Sequence, residues 1–571
     1  MIEHNHNGIF TIVIGGAAGD GIREAGNNLG QVLAKIGYEV FISFKYPSLI
    51  RGGHNYARIS FSREKVFYDN SHIDVLVALN DETIERHKPK LAKNAFIFSE
   101  NFDENDLKNF GKNAVKITFS QFTAELNALP VTRSSVALGA ICHLLNLPLQ
   151  EMKNVLHKVF KEKLLESNIA LAEKGYEFLK ERDFKHWKKI KPNENFQKEL
   201  IDGNTAFAKG LIAAGLKSYL AYPMTPSTSI LHFLAKKQKD FNIRVIQPEN
   251  EIAVINMALG MAYAGERVAI GTATGGFALM QEAFSLAGVA EIPIVIAVSQ
   301  RQGPATGVPT HSSQADLRFI IHSGHGEFPR IVMAPGDPEE TFKCGTQALN
   351  LTWQYQMPVI VILDKHVSEN LTTSIINADS IKIEKGKLAE KTDSKYQRYL
   401  VTEGGISPVA FPGTPEITIK SNSYEHDEDG IATEDLDIIR KMQDKRFKKE
   451  ETLLKGIGKC ETIKVYGDQK SKNAIVFWGS TKTVVLEAAK YLDKKAKLIQ
   501  VLWMEPFDTE HILPQFKGIK NIISIESNHN AQFAGLLREK TGIEVNHNIL
   551  SYDSRPFEPI ELAEKINFLL K

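Results

Sequence analysis

The residues best suited to chemistry lie in short turns rather than in long regular stretches. The run AYPMTPSTS, Ala221 to Ser229, follows a short apolar stretch and precedes a helical segment, Ile230 to Lys237. Two prolines within four residues exclude regular helix or central strand there. What remains is a rigid turn at a strand's end that presents Thr225, Ser227 and Thr228 at a helix N-terminus. Hydroxyls in that place either cap the helix or meet an anionic or polar ligand. Downstream, Glu251 opens an apolar run rich in Ala, Gly and Met. A carboxylate against such a surface is expected to have a raised pKa and to hold or share a proton; the alternative is charge placement at a helix start. Glu249, two residues earlier, points elsewhere. TATGG, Thr272 to Gly276, is a glycine turn between a strand and a second apolar helix. Arg301 ends another strand, in SQRQGPATGVPTHSSQADL (Ser299 to Leu317). It is placed to pair with an anionic group, and Thr310 lies beyond a Gly/Pro-rich loop able to fold back. Open α/β sheets bind ligands at such carboxyl ends.

Other motifs read less sharply. GGAAGDGI, Gly15 to Ile22, joins a strand to a helix and is either an anion-binding turn or a structural one. In KYPSLIRGGHN, Lys45 to Asn55, Arg51 stands beside Gly52 and Gly53, either gripping a phosphate or carboxylate or closing a tight surface turn. His322, His325 and Glu327 lack an obvious further ligand, and SYEHDEDG (Ser423 to Gly430) has the wrong spacing for calcium, so no metal site is expected in this chain.

The elements that must position these turns read as three α/β units, expected at 1–187, 203–372 and 462–571. A linker is read at 188–202 and an extended connection at 373–461. The first unit has strands at Ile9–Ile14, Glu39–Ser43, Ala57–Ser62, Val75–Leu79 and Ala95–Ser99 alternating with helices, which predicts a mainly parallel sheet. The second has strands at Ser218–Tyr222, Arg244–Gln247, Val268–Thr272, Ile292–Val298 and Pro358–Leu363; the third at Asn473–Trp478, Ala496–Val501 and Asn521–Glu526. At 571 residues the chain needs several cores. A net charge of +1 argues against bulk attraction to nucleic acid or membrane. Cys142, Cys344 and Cys460 are too scattered to form a cluster, and no apolar run reaches membrane-spanning length. The expected compartment is the cytoplasm.

Taken in order, YPMTPSTS, PENEIA, TATGGFALM, QRQGPATGVPT and GHGEFPRIVMAPG resemble the α subunit of the 2-oxoacid:ferredoxin oxidoreductases. The resemblance is to the type with a γ domain fused in front, and it covers nearly the whole chain. GGAAGDG and YPSLIRGGHN resemble the γ domain, and the last unit resembles a carboxyl-terminal transketolase-like domain. The family implies a thiamine diphosphate site whose pyrimidine side this subunit supplies. Glu251 then hydrogen-bonds the aminopyrimidine, and Thr225 lies near the thiazolium carbon and the substrate. Tyr222, Pro223 and Thr274 line the cofactor, and Arg301 and Thr310 hold the 2-oxoacid carboxylate. Arg51, Gly52 and Gly53 belong to a loop that closes over coenzyme A or the site.

The implied reaction is coenzyme A-dependent oxidative decarboxylation with electrons passed to ferredoxin. 2-Oxoglutarate is favoured as substrate, with pyruvate or a broad range of 2-oxoacids as alternative. Mg2+, the diphosphate site and a 4Fe-4S cluster are expected on a separate β subunit, in an αβ or α2β2 assembly, so this chain alone should be inactive. Gly19-Asp20-Gly21 is similar to the metal-diphosphate motif of thiamine enzymes, but Asn27 and Asn28 are too near and Asn55 too far to complete it. Met224, Ser229 and Ala531 stand where the family usually has Ile, an acid and Gly. Two other readings stay open: a non-catalytic binding module, and a nicotinamide-binding protein using Gly15 to Gly21.

Overall fold

In a computed structural model, the structure describes residues 8–47, 53–182, 184, 197–379, 381–389 and 395–571. Arg51, Gly52 and most of the stretch read as a linker lie outside the described residues. The chain forms two compact units, one running to Ile201 and including Glu369–Ile375, the other Asp202–Ser368 with Ile376–Lys571.

The first unit is built on one eight-stranded sheet. Its strand order is Ala114–Lys116, Leu91–Ser99, Ile73–Ala78, Phe10–Gly16, Asn55–Ser62, Glu39–Lys45, Leu371–Ser374 and Glu199–Ile201. The expectation of a mainly parallel sheet is corrected here. The half from Phe10–Gly16 to Ala114–Lys116 is parallel, and the other half is antiparallel. The reason is loop length: only nine residues separate Lys45 from Asn55, fewer than a parallel crossover needs. Helix Ile22–Lys35 covers the sheet with Leu29, Val32 and Leu33. Its Gly26 and Gly30 permit close approach, since a Cβ there would stand 2.6 Å from Ala57 Cβ and 2.3 Å from Ile42 Cδ1.

The second unit holds two sheets. The seven-stranded one runs Trp503–Glu505, Ile331–Met333, Val359–Asp364, Val295–Gln300, Val268–Ala273, Ser218–Leu220 and Arg244–Ile246, all parallel except the first. The five-stranded one runs Ile463–Gly467, Lys497–Val501, Asn473–Trp478, Asn521–Glu526 and His547–Leu550, antiparallel only at its first strand. One apolar core, including Ile270, Ile296, Ile360, Val476 and Ile499, draws on both sheets.

The stretch read as extended connection also contains a 21-residue helix, Leu436–Gly456. Its buried face carries Lys445, Arg446 and Lys449 beside Met442 and Leu453, so the apolar period that marks a packed helix is missing from the sequence. Arg446 pairs with Glu425, and the two lysines with buried Glu291. Lys445 Nζ lies 2.6 and 2.8 Å from its two carboxylate oxygens, Lys449 Nζ contacts it as well, and Arg398 donates to the Glu291 carbonyl at 2.9 Å. Burial alone would raise the Glu291 pKa, but the two ammonium groups and Arg398 outweigh it and hold the carboxyl well below the usual range. Burial and the Lys445 charge draw the Lys449 ammonium down to about 7 against the pull of Glu291. Among the described residues no helix is long and apolar enough to cross a membrane.

Candidate active site

Three segments leave the carboxyl ends of adjacent parallel strands. Leu220 pairs with Ile270, and Ala273 with Ser299, so the turns beginning at Ala221 and Arg301 and the helix beginning at Thr274 emerge side by side. This is the edge at which an open α/β sheet receives a ligand.

The first turn is fixed by neighbours distant in sequence. Asn204 Nδ2 donates to the Pro226 carbonyl at 2.8 Å and to Ser229 Oγ at 2.7 Å. Ser229 therefore serves as an acceptor for Asn204. Ser227 precedes helix Thr228–Phe241 but makes no side-chain cap; its hydroxyl donates back to the Met224 carbonyl at 2.8 Å. The capping alternative for Ser227 is thus removed. Tyr222 and Pro223 are exposed, and Thr225 is half-buried. Arg301 Nη1 donates to the Thr225 carbonyl at 2.9 Å, which joins the first and third turns directly.

The Thr272–Gly276 stretch expected as a glycine turn is instead a strand end running directly into helix Thr274–Leu279, and it meets Glu251. Asn250 caps helix Glu251–Tyr263, its Oδ1 accepting the Ala253 N–H at 2.9 Å, so Glu251 is not needed as a cap. Glu251 is 4% exposed, and its Oε1 is buried without a partner. A Cβ at Gly276 would lie 2.8 Å from that oxygen and 2.2 Å from Thr272 Oγ1. The glycine thus makes room for the carboxylate. Thr274 opens helix Thr274–Leu279, with its hydroxyl against the Asp316 carboxyl.

The third turn folds back as its Gly/Pro content predicts. Val308 N–H donates to the Gln302 carbonyl at 2.8 Å, Gln302 N–H to the His311 carbonyl at 3.2 Å, and Asp316 N–H to Gln300 Oε1 at 3.0 Å. Gly307 has φ 52°, and a Cβ there would fall 1.9 Å from the Gln302 carbonyl oxygen, so the reversal requires glycine. The far end of the loop is clamped from the five-stranded sheet. Gln314 Nε2 donates to the Trp478 carbonyl at 2.8 Å, and its Oε1 accepts the Ser527 N–H at 2.9 Å. Asn528 Nδ2 reaches the Gln314 carbonyl at 3.2 Å, and Gln532 Nε2 the Ala315 carbonyl at 2.6 Å. Thr310 is buried, and its Oγ1 has no partner; neither has Gln300 Nε2.

Glu251 Oε1, Gln300 Nε2 and Thr310 Oγ1 are therefore polar atoms buried at one sheet edge without protein partners. Buried polar groups are nearly always satisfied, so this edge fits a ligand that completes them. Gln300, Asp316 and Asn204 were not singled out by sequence reasoning. The only sequence trace of Gln300 and Asp316 is their place at the two ends of the Gly/Pro loop; Asn204 left none.

The same edge carries exposed apolar surface. Helix Glu251–Tyr263 shows Ile252 and Met257 to solvent at 53% and 41%, and the next helix shows Leu279 at 56%. Cβ atoms added at Gly260 and Gly275 would meet nothing within 4 Å. Apolar faces of this kind mark interaction surfaces.

The remaining predicted residues lie elsewhere. Gly53 belongs to the first unit, with φ 72°. Asp20, in the GDG triplet, accepts the Ala17 N–H at 2.8 Å and pairs with Arg133 at 2.7 Å, which gives it a structural task. In SYEHDEDG, Glu425 pairs with Arg446, and His426 packs on Tyr399 with ring centroids 4.0 Å apart. Among the described residues no group of three or more His, Cys, Asp or Glu side chains is placed to hold a metal.

Comparison with known proteins gives consistent matches. Residues 209–445 match the family model "Pyruvate flavodoxin/ferredoxin oxidoreductase, thiamine diP-bdg", and residues 11–178 match "Pyruvate ferredoxin/flavodoxin oxidoreductase". The chain is 33% identical to the 2-oxoacid:ferredoxin oxidoreductase subunit alpha of a Sulfolobus species, over 98% of this chain and 96% of that one. It is 28% identical to the 2-oxoglutarate oxidoreductase subunit KorA of Mycobacterium tuberculosis, over 61% and 59% of the two chains. Its fold is similar to that of the 2-oxoglutarate:ferredoxin oxidoreductase of Magnetococcus marinus, solved with 2-oxoglutarate, coenzyme A and succinyl-CoA bound. The TM-score is 0.89 at 29% identity, covering 99% of this chain and 100% of that one.

Proposed function

Since the chain belongs to the α subunits of the 2-oxoacid:ferredoxin oxidoreductases, we propose that it supplies the pyrimidine side and the substrate side of a thiamine diphosphate site. The favoured substrate is 2-oxoglutarate, which the Magnetococcus marinus relative binds. The observation that carries this reading is the pairing of an orphaned, buried Glu251 carboxylate with an Arg301 fixed to the Thr225 turn. Thiamine diphosphate, when bound, supplies the nucleophilic carbon and the electron sink that decarboxylation requires.

The chain's own residues have distinct tasks. Glu251 accepts and returns a proton at the aminopyrimidine, for which a carboxylate shielded from water and cradled by Gly276 is suited. Arg301 pairs with the substrate carboxylate, and the Thr310 hydroxyl donates to it. Thr225, Tyr222, Pro223 and Thr274 shape the wall against which cofactor and keto group lie. Arg51, Gly52 and Gly53 act toward coenzyme A. Mg2+, the diphosphate contacts and a 4Fe-4S cluster belong to a β subunit, and the exposed Ile252, Met257 and Leu279 face is where it docks. The product is an acyl-CoA, with electrons leaving to ferredoxin.

The test is co-purification with a β subunit carrying cysteines for a cluster, followed by viologen reduction with coenzyme A and either 2-oxoglutarate or pyruvate. The reading predicts turnover of 2-oxoglutarate by the complex and none by this chain alone. Arg301→Ala should raise KM more than it weakens thiamine binding; an unchanged KM would remove Arg301 from the substrate site.

A further inference from the structure

Gln314 lies near the far end of the loop that begins at Arg301, shortly after Thr310, and is fully buried. Its main-chain N–H donates to the Ser527 carbonyl at 2.8 Å, and its side-chain Oε1 accepts the Ser527 N–H at 2.9 Å. Both main-chain polar groups of Ser527 therefore meet this one residue. Gln314 Nε2 donates to the Trp478 carbonyl at 2.8 Å, and the Gln314 carbonyl accepts Asn528 Nδ2 at 3.2 Å. Gly479 leaves the amide room: it has φ 54°, and a Cβ there would stand 3.0 Å from Gln314 Nε2.

The groups that receive Gln314 are themselves fixed. Trp478 ends strand Asn473–Trp478, and Ser527 follows its neighbour, strand Asn521–Glu526. Asn528 Nδ2 also donates to Glu526 Oε2 at 2.8 Å, and that fully buried carboxylate accepts the Phe533 and Ala534 N–H groups at 2.8 and 3.0 Å. The rest of the limb is held from the same side. Gln532 Nε2 donates to the Ala315 carbonyl at 2.6 Å, and His311 Nδ1 meets the Ser554 carbonyl at 3.0 Å, beyond strand His547–Leu550. Arg301, at the other end of the loop, is tied instead to the Thr225 carbonyl. Between these anchors stands Thr310, buried, with no partner for its hydroxyl.

Building on the proposed 2-oxoacid site, we propose that Gln314 is a positioning residue that sets the Thr310 hydroxyl against the substrate carboxylate. The carboxyl edge of the five-stranded sheet thereby governs substrate affinity through the loop it holds. Loss of the Gln314 amide leaves the Ser527 N–H and the Trp478 carbonyl unsatisfied in a buried place, so the limb shifts or admits water. Arg301 and Glu251 keep their own supports, and the loss falls on substrate binding rather than on proton exchange at Glu251.

The experiment uses the complete complex with its β subunit. Wild type, Gln314→Ala, Thr310→Val and the double variant form a cycle on KM for 2-oxoglutarate, with kcat and bound thiamine diphosphate measured in the same preparations. Gln314→Ala should raise KM about tenfold, the worth of one hydrogen bond to a charged group, with kcat and cofactor content near wild type. In the Thr310→Val background the same replacement should add less than about twofold, because the hydroxyl it positions is already gone. A merely structural role gives the same factor in both backgrounds, or a joint loss of kcat and thiamine diphosphate. Either result overturns the inference while leaving the proposed function standing, as does an unchanged KM in Gln314→Ala. A wild-type KM in Thr310→Val, or a complex that turns over no 2-oxoacid, overturns the proposed site and the inference with it. Should Gln314→Ala fail to assemble, Gln532→Ala, half-buried and holding the same limb at Ala315, takes its place in the cycle with the same supporting and overturning results.

Discussion

Gly276 and Gly275 are neighbours in one short helix, yet a methyl group should act oppositely at the two. At Gly275 an added Cβ meets nothing within 4 Å. The replacement Gly275→Ala should leave the stability of this chain unchanged or raise it by about 0.5–1 kcal/mol, the ordinary helix gain. At Gly276 the same Cβ lies 2.2 Å from Thr272 Oγ1, 2.8 Å from Glu251 Oε1 and 2.9 Å from Glu251 Cγ. Ordinary contact needs about 3.5 Å or more, so Glu251 and Thr272 must each move by roughly an ångström. Both are buried, and overpacking of this kind costs about 1–3 kcal/mol. Set against the helix gain, Gly276→Ala should lie roughly 2 kcal/mol below Gly275→Ala in denaturant unfolding. The displacement falls on the proposed proton-exchanging carboxylate, where a shift of about an ångström costs on the order of a hundredfold in rate. The assay pairs unfolding of the isolated chain with viologen reduction by the Gly276→Ala complex. Equal stabilities for the two variants, or wild-type turnover by Gly276→Ala, would refute the argument that this glycine is kept to seat Glu251.

Two further outcomes follow from buried or strained positions. The folded-state pKa of Lys449, about 7, lies below its ordinary 10.5. Between these values the unfolded chain binds the additional proton, so this group's contribution makes stability climb as pH rises from about 7 towards 10 and is fully present only above that window. Lys449→Met should flatten this slope in pH-dependent unfolding, and a slope identical to wild type would contradict the assignment. Ala531 has φ 47°, the left-handed region that disfavours a side chain, at the start of helix Gln532–Thr541. Ala531→Gly should therefore raise the unfolding free energy by about 0.5–1 kcal/mol; destabilisation on that replacement would show that the backbone strain is not what limits this turn.

The turns of the site were legible because prolines and glycines announce them. Pro223 and Pro226 bound the first turn and Gly303 and Gly307 the third, and each follows an apolar strand read within a few residues of its true end, whereas Gly275 and Gly276, read as a turn, lie inside helix Thr274–Leu279. Their mutual placement follows from parallel strand order, so Thr225 and Arg301 could be expected at one edge before any contact was known. What fastens them was not legible. Asn204 anchors the Pro226 turn from a separate helix, and Gln314, Asn528 and Gln532 join segments more than two hundred residues apart. No local pattern encodes such pairings. The antiparallel half of the first sheet was missed because alternation with helices was read as parallel order, whereas the short Lys45-to-Asn55 connection decides direction. The Leu436–Gly456 helix was missed because its inward face bears lysines for Glu291 rather than apolar residues. Strands of three residues, such as Ala114–Lys116 and Ile331–Met333, are too short to show a period.

The central claim is that this chain contributes Glu251 to a thiamine diphosphate site completed by another subunit. Its most direct test is the steady-state rate of the purified complex carrying Glu251→Gln, with bound thiamine diphosphate measured in the same preparation. The account predicts a fall in kcat of about a hundredfold or more, with the complex intact and the cofactor still bound. A Glu251→Gln complex that turns over 2-oxoglutarate at a near-normal rate would contradict it.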